Sequence, residues 1–423
     1  MRGARGWLRT THAAFAVVAA TSLLLSACAK DLSTPQTTPS VMVSSVVPTS
    51  AASSSGSSSS AVATSTPSTS PTPTATQGSQ QRTASLVFSG DLLWHNTLWM
   101  SAADDHRRTG KGKEFDFDPM FAAIKPVISG ADLAVCHEEV PFAKPGGPYT
   151  GYPTFKAPPA IAEWIPTMGW DACTLTSNHA LDAGITGLER TNRLLRDNGV
   201  TPIGTRLSAD EVNKPVMLTT ENGIKVSIIG STYGLNGLVP PQGKEYAVQM
   251  IEVPELLRQA KLARQAGADL VLVQMHAGDE YAHKPNAQQV ETAKALTASP
   301  DVDAVIGQHV HVVQPITKVN GKWVVYGMGN MVAQHKTDVP RGYEGITVRL
   351  NVKEKAGAGF EVAGVDYIPT YVTHYSPGNP VRLLPVVDSL SKGVGPTERL
   401  TVAREKTRAA VLLLGDTPGL VER

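Results

Sequence analysis

The chain has 423 residues and a formal net charge of +1, with Lys+Arg 38 against Asp+Glu 37. That balance excludes a global positive field able to hold nucleic acid, and the length suits one large α/β domain with additional segments. A hydrophobic fraction of 41% is that of a chain with a buried core.

At the N-terminus, Arg2, Arg5 and Arg9 form a basic cluster, and residues 13–25 form an uncharged apolar run too short to span a bilayer comfortably. The run ends in Leu25-Ser26-Ala27-Cys28, which resembles the lipobox of bacterial lipoproteins. The resemblance implies a signal peptide over 1–28, lipidation of Cys28, and a protein anchored by lipid on the extracytoplasmic face of the cell membrane. Residues 29–83 are dominated by Ser, Thr, Ala and Pro, a composition that cannot bury enough apolar surface to offset the entropy of ordering. They are expected to be a disordered tether. Apart from Cys28 the cysteines are Cys136 and Cys173, each in an apolar strand-like run. They read as buried small side chains, and an exported compartment also permits a disulfide between them.

From residue 84 short β-rich runs alternate with helical ones. Strands are expected over 84–91, 131–137, 171–176, 225–231, 269–275, 304–306 and 323–326, with antiparallel strands over 345–352 and 360–369. Helices are expected over 119–129, 158–168, 187–198, 253–266 and 286–298. Leu188, Leu194 and Leu195 supply the apolar side of the third, and Gly267 closes the fourth. This alternation argues for an α/β domain over 84–375 with layered sheets. Residues 376–423 read as a Pro-rich extension carrying one helix, over 397–414, which either packs on the domain or hangs free.

Chemically capable residues recur just past the C-terminal ends of the strands, where open α/β sheets bind ligands. They are Asp91; His137-Glu138-Glu139; Ser177-Asn178-His179 with Asp182 and Gly184; His276-Ala277-Gly278-Asp279-Glu280-Tyr281; and Gly307-Gln308-His309-Val310-His311. A Gly-Asn turn, Tyr326-Gly327-Met328-Gly329-Asn330, follows the next strand. Imidazole and carboxylate suit a borderline or hard divalent ion. Side chains alternate along an extended segment, so His309 and His311 nominally face opposite ways unless a turn re-aims them.

In this order the motifs resemble those of the capsule-synthesis CapA family, itself similar to calcineurin-like metallophosphoesterases. The resemblance runs from Leu86 to Val332. It implies a four-layer α/β/β/α sandwich of the metallophosphoesterase kind with a centre of two divalent ions, among which manganese, iron, zinc and calcium are not distinguished. Asp91, Glu139, Asn178, His276, His309 and His311 would be the metal ligands, with Glu139 in the bridging position. His179 would be the catalytic acid and Glu280 a substrate-facing carboxylate. The chain departs from the pattern in three places. Leu93 stands where phosphoesterases usually have His, and His95 lies two residues further on. His137-Glu138 replaces a common Asn-Leu, which makes His137 either an added ligand or a hydrogen-bonding substitute. Gln308 stands where the family often has His.

Three functions follow as alternatives. The first is metal-dependent hydrolysis of a phosphoester, ester or amide in an envelope polymer or a small substrate. The second is a part in capsule or poly-γ-glutamate synthesis beside membrane-bound synthases, for which Arg107, Arg108, Lys111 and Lys113 offer a basic loop. The third is a non-catalytic polymer-binding or export lipoprotein. No Gly-x-Ser-x-Gly elbow and no Walker phosphate loop is present. The aromatic content of 6% shows no stacking platform for nucleic acid.

Overall fold

The computed structural model describes residues 81–335, 339–357 and 359–423. The expected signal peptide, Cys28 and all but the last three residues of the tether lie outside the described residues. No helix among the described residues is long and apolar enough to cross a membrane.

In chain order the folded part begins with β1 (Thr83–Leu92), α1 (Asn96–Thr109), α2 (Asp118–Phe121), α3 (Lys125–Ser129), β2 (Leu133–Glu138), α4 (Ala160–Trp164), β3 (Ala172–Thr174), α5 (Gly184–Asp197) and β4 (Thr201–Ile203). It continues with β5 (Met217–Thr219), β6 (Lys225–Thr232), α6 (Val253–Gln265), β7 (Leu270–His276), α7 (Ala287–Ala298), β8 (Ala304–Gln308), β9 (Ile316–Val319), β10 (Lys322–Val325) and β11 (Asn330–Val332). It closes with β12 (Glu344–Glu354), β13 (Phe360–Val372), β14 (Leu383–Pro385), α8 (Val386–Lys392), α9 (Thr397–Val411) and β15 (Leu420–Glu422).

Two sheets form among the described residues. The first runs β14-β13-β12-β1-β2-β3-β4, with β11 beside β1 and β15 beside β13. The second runs β5-β6-β7-β8-β10-β9. Strands β1 to β4 are mutually parallel, as are β6, β7, β8 and β10. Period-two alternation sorts their side chains into layers. Leu86, Phe88 and Val135 of the first sheet meet Val226, Leu272 and Ile306 of the second in the inter-sheet core. Val87, Ala134 and Cys173 face outward onto helix residues such as Leu98, Phe121, Ile161 and Leu400. On the far side Val271, Val273 and Val305 pack on Leu256, Ala260 and Leu296 of α6 and α7. Helix, sheet, sheet, helix is the expected four-layer order. Each fully buried Leu, Ile or Phe in it contributes about 1.5–3 kcal/mol.

Local chemistry explains several boundaries. Helix α7 starts at a reciprocal capping box, in which Asn286 Oδ1 accepts from the Gln289 backbone N–H and Gln289 Oε1 accepts from that of Asn286. The helix expected over 119–129 is broken into α2 and α3 because Pro126 lacks a donor and can only open a new first turn. Pro166 likewise converts the end of the helix expected over 158–168 into a 3-10 turn. Helix α1 was not anticipated; its apolar residues Leu98, Trp99 and Ala102 are interrupted by polar ones. The expected extension after residue 375 is corrected. Strands β14 and β15 both hydrogen-bond to β13, α8 joins α9 as a second helix, and Leu383, Val386, Leu400 and Ala403 are buried in the helix-side core. Apolar faces of that size are stable only when covered, so the segment completes the domain.

Cys136 and Cys173 stand opposite one another on β2 and β3, with Cα atoms 4.4 Å apart, and are joined as a disulfide. The sequence left this pairing open.

Candidate metal centre

Parallel strands deliver their C-terminal ends to one place. Asp91 is the penultimate residue of β1, in register with His137 of β2 and Asn330 of β11. Glu139 follows β2 directly. Asn178 lies four residues beyond β3, in a loop pinned by Ser177, whose hydroxyl donates to the Glu139 carbonyl at 2.5 Å and accepts from His179 N–H. His276 is the last residue of β7, and His309 follows β8. Where β1 passes β11 only glycine fits, because a Cβ on Gly90 would collide with the Gly329 carbonyl.

The turn left open by the sequence is real. His309 has φ 93° and His311 has φ 58°, both in the left-handed region that non-glycine residues avoid. This backbone sends both rings the same way, with centroids 6.0 Å apart. Strain of this kind costs about 1–3 kcal/mol per residue and persists where the surroundings enforce it.

All six expected ligands converge, and all are at most 3% exposed. His276 Nε2 lies 2.7 Å from Asn178 Oδ1 and 3.9 Å from Glu139 Oε1. His311 Nε2 lies 3.8 Å from Glu139 Oε1, while its Nδ1 faces Asp91 Oδ2 at 3.2 Å and Asn330 Oδ1 at 3.0 Å. The rings of His276 and His309 are 4.7 Å apart. Potential ligand atoms of Glu139, His309 and His311 all fall within 4.8 Å of one another, as do those of Asp91, His137 and Glu139. Glu139 is common to both groups, as its bridging assignment requires.

A cation fits this donor set. Asp91 Oδ1, both carboxylate oxygens of Glu139 and His309 Nδ1 are buried without any hydrogen-bond partner. One unpaired buried polar group costs about 1–3 kcal/mol, and more when charged. Four in one pocket, all able to donate electron pairs, suit a divalent ion. Burial pushes the Glu139 carboxyl well above the ordinary range, with the neighbouring Asp91 and Glu280 charges adding to it. Burial also works against charge on His311, but Glu139 and Asp91 outweigh it and lift that imidazole to about 9. Burial holds His276 well below its usual value and His309 down to about 3. The pocket thus gathers buried carboxyl groups, one imidazole that they favour charged, and two imidazoles that burial keeps neutral.

His179 stands beside this cluster. Its Nδ1 is 2.7 Å from Asp182 Oδ2, and Phe155 packs edge-on against the ring at 4.8 Å. Asp182 is itself held by the Phe155 backbone N–H. Glu280 is exposed; its charge acts on Glu139 and His311, but it is in neither ligand group. Tyr233 flanks His309 at 4.6 Å and Tyr281 flanks His311 at 5.9 Å, each about two-fifths exposed at the mouth. His95 does not replace the missing histidine at Leu93. Its Nδ1 is engaged by the Leu93 carbonyl and the Gln334 N–H, each at 3.2 Å. Gln308 turns aside to donate to the Ser89 carbonyl. Three further residues touch the expected ligands, and the sequence reading had named His137 and Asn330 but not Asn236. His137 sits between Asp91 and His276, Asn330 holds His311, and Asn236 accepts from Asn178 Nδ2 at 3.1 Å. The signal for Asn236 was the dipeptide Asn236-Gly237, which favours the left-handed turn observed there.

Chelated protein should lose stability in acid. Burial holds His95 and His137 at about 4 and His309 and His335 at about 3. The unfolded chain binds these protons near pH 6.5, so the contribution is complete above that value and is lost as pH falls toward 4 and 3. His311, raised to about 9, works oppositely: its contribution is complete below 6.5 and lost as pH rises through 9. The expected result is a stability maximum between the two limits, read as melting temperature against pH in chelator. A flat profile from pH 7 to 4 would contradict it.

The family described as bacterial capsule synthesis protein PGA_cap matches residues 85–335 of this chain. The PGA biosynthesis protein CapA of Bacillus subtilis is 26% identical over 205 residues, which cover 47% of this chain and 51% of that protein. The capsule biosynthesis protein CapA of Bacillus anthracis is 29% identical over 168 residues, 39% of this chain and 40% of that protein. The matches thus span about half or less of these relatives. Among solved structures, the calcineurin-like phosphoesterase YfkN of Bacillus subtilis overlaps with a TM-score of 0.42 at 19% identity, over 78% of this chain and 97% of that one. A putative 5'-nucleotidase from Staphylococcus aureus overlaps with a TM-score of 0.44 at 15% identity, over 77% and 58%. By the extent of the family match, the chain belongs to the bacterial capsule synthesis protein PGA_cap family.

Proposed function

We propose that this protein is a metal-dependent hydrolase, held by a lipid on Cys28 at the outer face of the cell membrane, that cleaves a phosphoester, ester or amide bond in an envelope substrate during capsule polymer synthesis. The observation that carries the reading is the set of orphaned buried donors on Asp91, Glu139 and His309. Asp91, Glu139 and His311 would hold one divalent ion, and Glu139, Asn178, His276 and His309 a second. Such ions, when bound, lower the pKa of water and steady developing negative charge. The chain's own residues do the rest. Glu139 fixes the geometry from the floor of the site. Asp182 fixes the His179 ring through Nδ1, which leaves Nε2 to hand a proton to the leaving atom. Tyr233 and Tyr281 narrow the mouth and limit water. Capsule polymer as substrate is supported by family membership, and the anchor by the Leu25-Ser26-Ala27-Cys28 motif.

The test uses full-length protein in detergent, loaded with manganese or zinc, and assays phosphomonoester, phosphodiester and γ-glutamyl amide substrates. Metal-dependent turnover of one class, abolished by chelator, is expected. Full metal content with no turnover of any of them would favour the non-catalytic binding reading. Membrane fractionation of Cys28→Ala cells checks the anchor, with the variant expected in the soluble fraction.

A further inference from the structure

Three polar groups line up behind His276. The Thr174 hydroxyl lies 3.4 Å from the Cys136 backbone carbonyl, to which it donates. His137 Nδ1 lies 2.8 Å from that same hydroxyl oxygen. His137 Nε2 lies 3.0 Å from His276 Nδ1, and His276 Nε2 faces Asn178 Oδ1 at 2.7 Å. All of these side chains are at most 2% exposed, so water does not complete the chain of bonds for them.

With a cation on His276 Nε2 the chain has one direction, and its anchor suits it. The Cys136 backbone carbonyl can only accept, and it takes the Thr174 proton. The hydroxyl oxygen is then the acceptor for His137 Nδ1–H. A neutral imidazole carries one proton, so His137 Nε2 is bare and accepts from His276 Nδ1–H. That leaves His276 Nε2 bare in turn. Asn178 turns its oxygen to the same point, because its Nδ2 donates to Asn236. In this direction two lone pairs stand 2.7 Å apart, with the Glu139 carboxylate beyond them, and a cation between them holds it; without one, His276 Nε2–H donates to Asn178 Oδ1 and the bonds of the chain run the other way.

We infer that His137, directed by Thr174, is a positioning residue that fixes His276 as its Nδ1–H tautomer and so presents Nε2 to a metal ion, and that His137 is not itself a ligand. Proximity alone says otherwise, since His137 groups with Asp91 and Glu139. But its Nε2 is 4.0 Å from Asp91 Oδ1 and is occupied at 3.0 Å by His276. The disulfide has a place here too: it joins the residues preceding His137 and Thr174, and so holds their two strands in register at the relay. Partners of this kind change metal affinity about 10–100-fold when removed.

The inference rests on the metal-centre reading, and the test separates the two. Zinc-loaded full-length protein labelled with nitrogen-15 at histidine reports the tautomer and metal bond of each ring by NMR, and zinc affinity is measured by competition with a chromophoric chelator. Expected are a protonated Nδ1 and a zinc-shifted Nε2 on His276, with no zinc-shifted nitrogen on His137. Thr174→Val, which removes the anchor without touching the site, should weaken zinc about 10-fold or more and mix the His276 tautomers, while Thr174→Ser keeps both as in the native protein. His137→Asn, which returns an acceptor to the position, should bind zinc more tightly than His137→Phe. A zinc-shifted His137 nitrogen, or unchanged affinity and tautomer in Thr174→Val, would overturn the inference and leave the metal centre standing. Absence of any zinc uptake by native protein would remove both.

Discussion

Glu139→Gln is expected to abolish tight metal binding, lowering affinity by well over about 100-fold, while leaving the metal-free fold at least as stable as the native one. Substitutions beside a ligand already cost about 10–100-fold, and Glu139 belongs to both ligand groups. The stability half of the prediction has the opposite sign from ordinary core damage. Both Glu139 oxygens are buried without partners, and burial works against its charged form. Burial therefore favours the neutral acid in the apo protein, and the neutral amide takes its place with no added cost of burying charge. Bound metal should stabilise native protein by an amount set by its excess over Kd, about 4 kcal/mol at a thousandfold excess, and so raise its melting temperature. Calorimetry with and without chelator measures both halves. A variant that keeps the metal-dependent rise would sink the bridging assignment.

His179→Ala is expected to reduce kcat by about 10²–10⁴-fold with metal content retained. The ring is outside both ligand groups, and its partner is Asp182 rather than a ligand carboxylate. Asp182→Asn should also lower kcat with metal retained, since the amide keeps the ring in place but no longer sets its tautomer. Substrates with a good leaving group, such as nitrophenolate, should lose least, because they need no proton. Elemental analysis beside steady-state kinetics decides the matter. Loss of metal in His179→Ala would show that the ring is a ligand instead of an acid.

Much of the site was legible because each ligand sits next to a strand end, and strand ends can be read from short β-branched runs. Asp91, Glu139, Asn178, His276 and His309 needed only that reading and their chemistry. His311 needed more. Alternation aimed it away from His309, and only the positive φ at both residues brings the rings together. His137 was visible as a residue, but its role depended on which neighbour each nitrogen meets across two sheets. Glu280 was given a place facing substrate, and its side chain is exposed at the rim. Whether the C-terminal helix packs on the domain or hangs free stayed open for a related reason: whether an apolar helix face is covered depends on what the rest of the chain leaves open.

The sequence by itself determined the layers and the donors. Period-two and helical patterns follow from backbone geometry acting over a few residues, and ligand chemistry belongs to the side chain wherever it lies. Only the tertiary structure decided which donors share a centre, which neighbour each imidazole nitrogen meets, and that Cys136 pairs with Cys173. These depend on contacts between residues 37 to 220 positions apart, such as Cys136 with Cys173 and Asp91 with His311. Local preference carries no record of such contacts until the two sheets pack and exclude water between them.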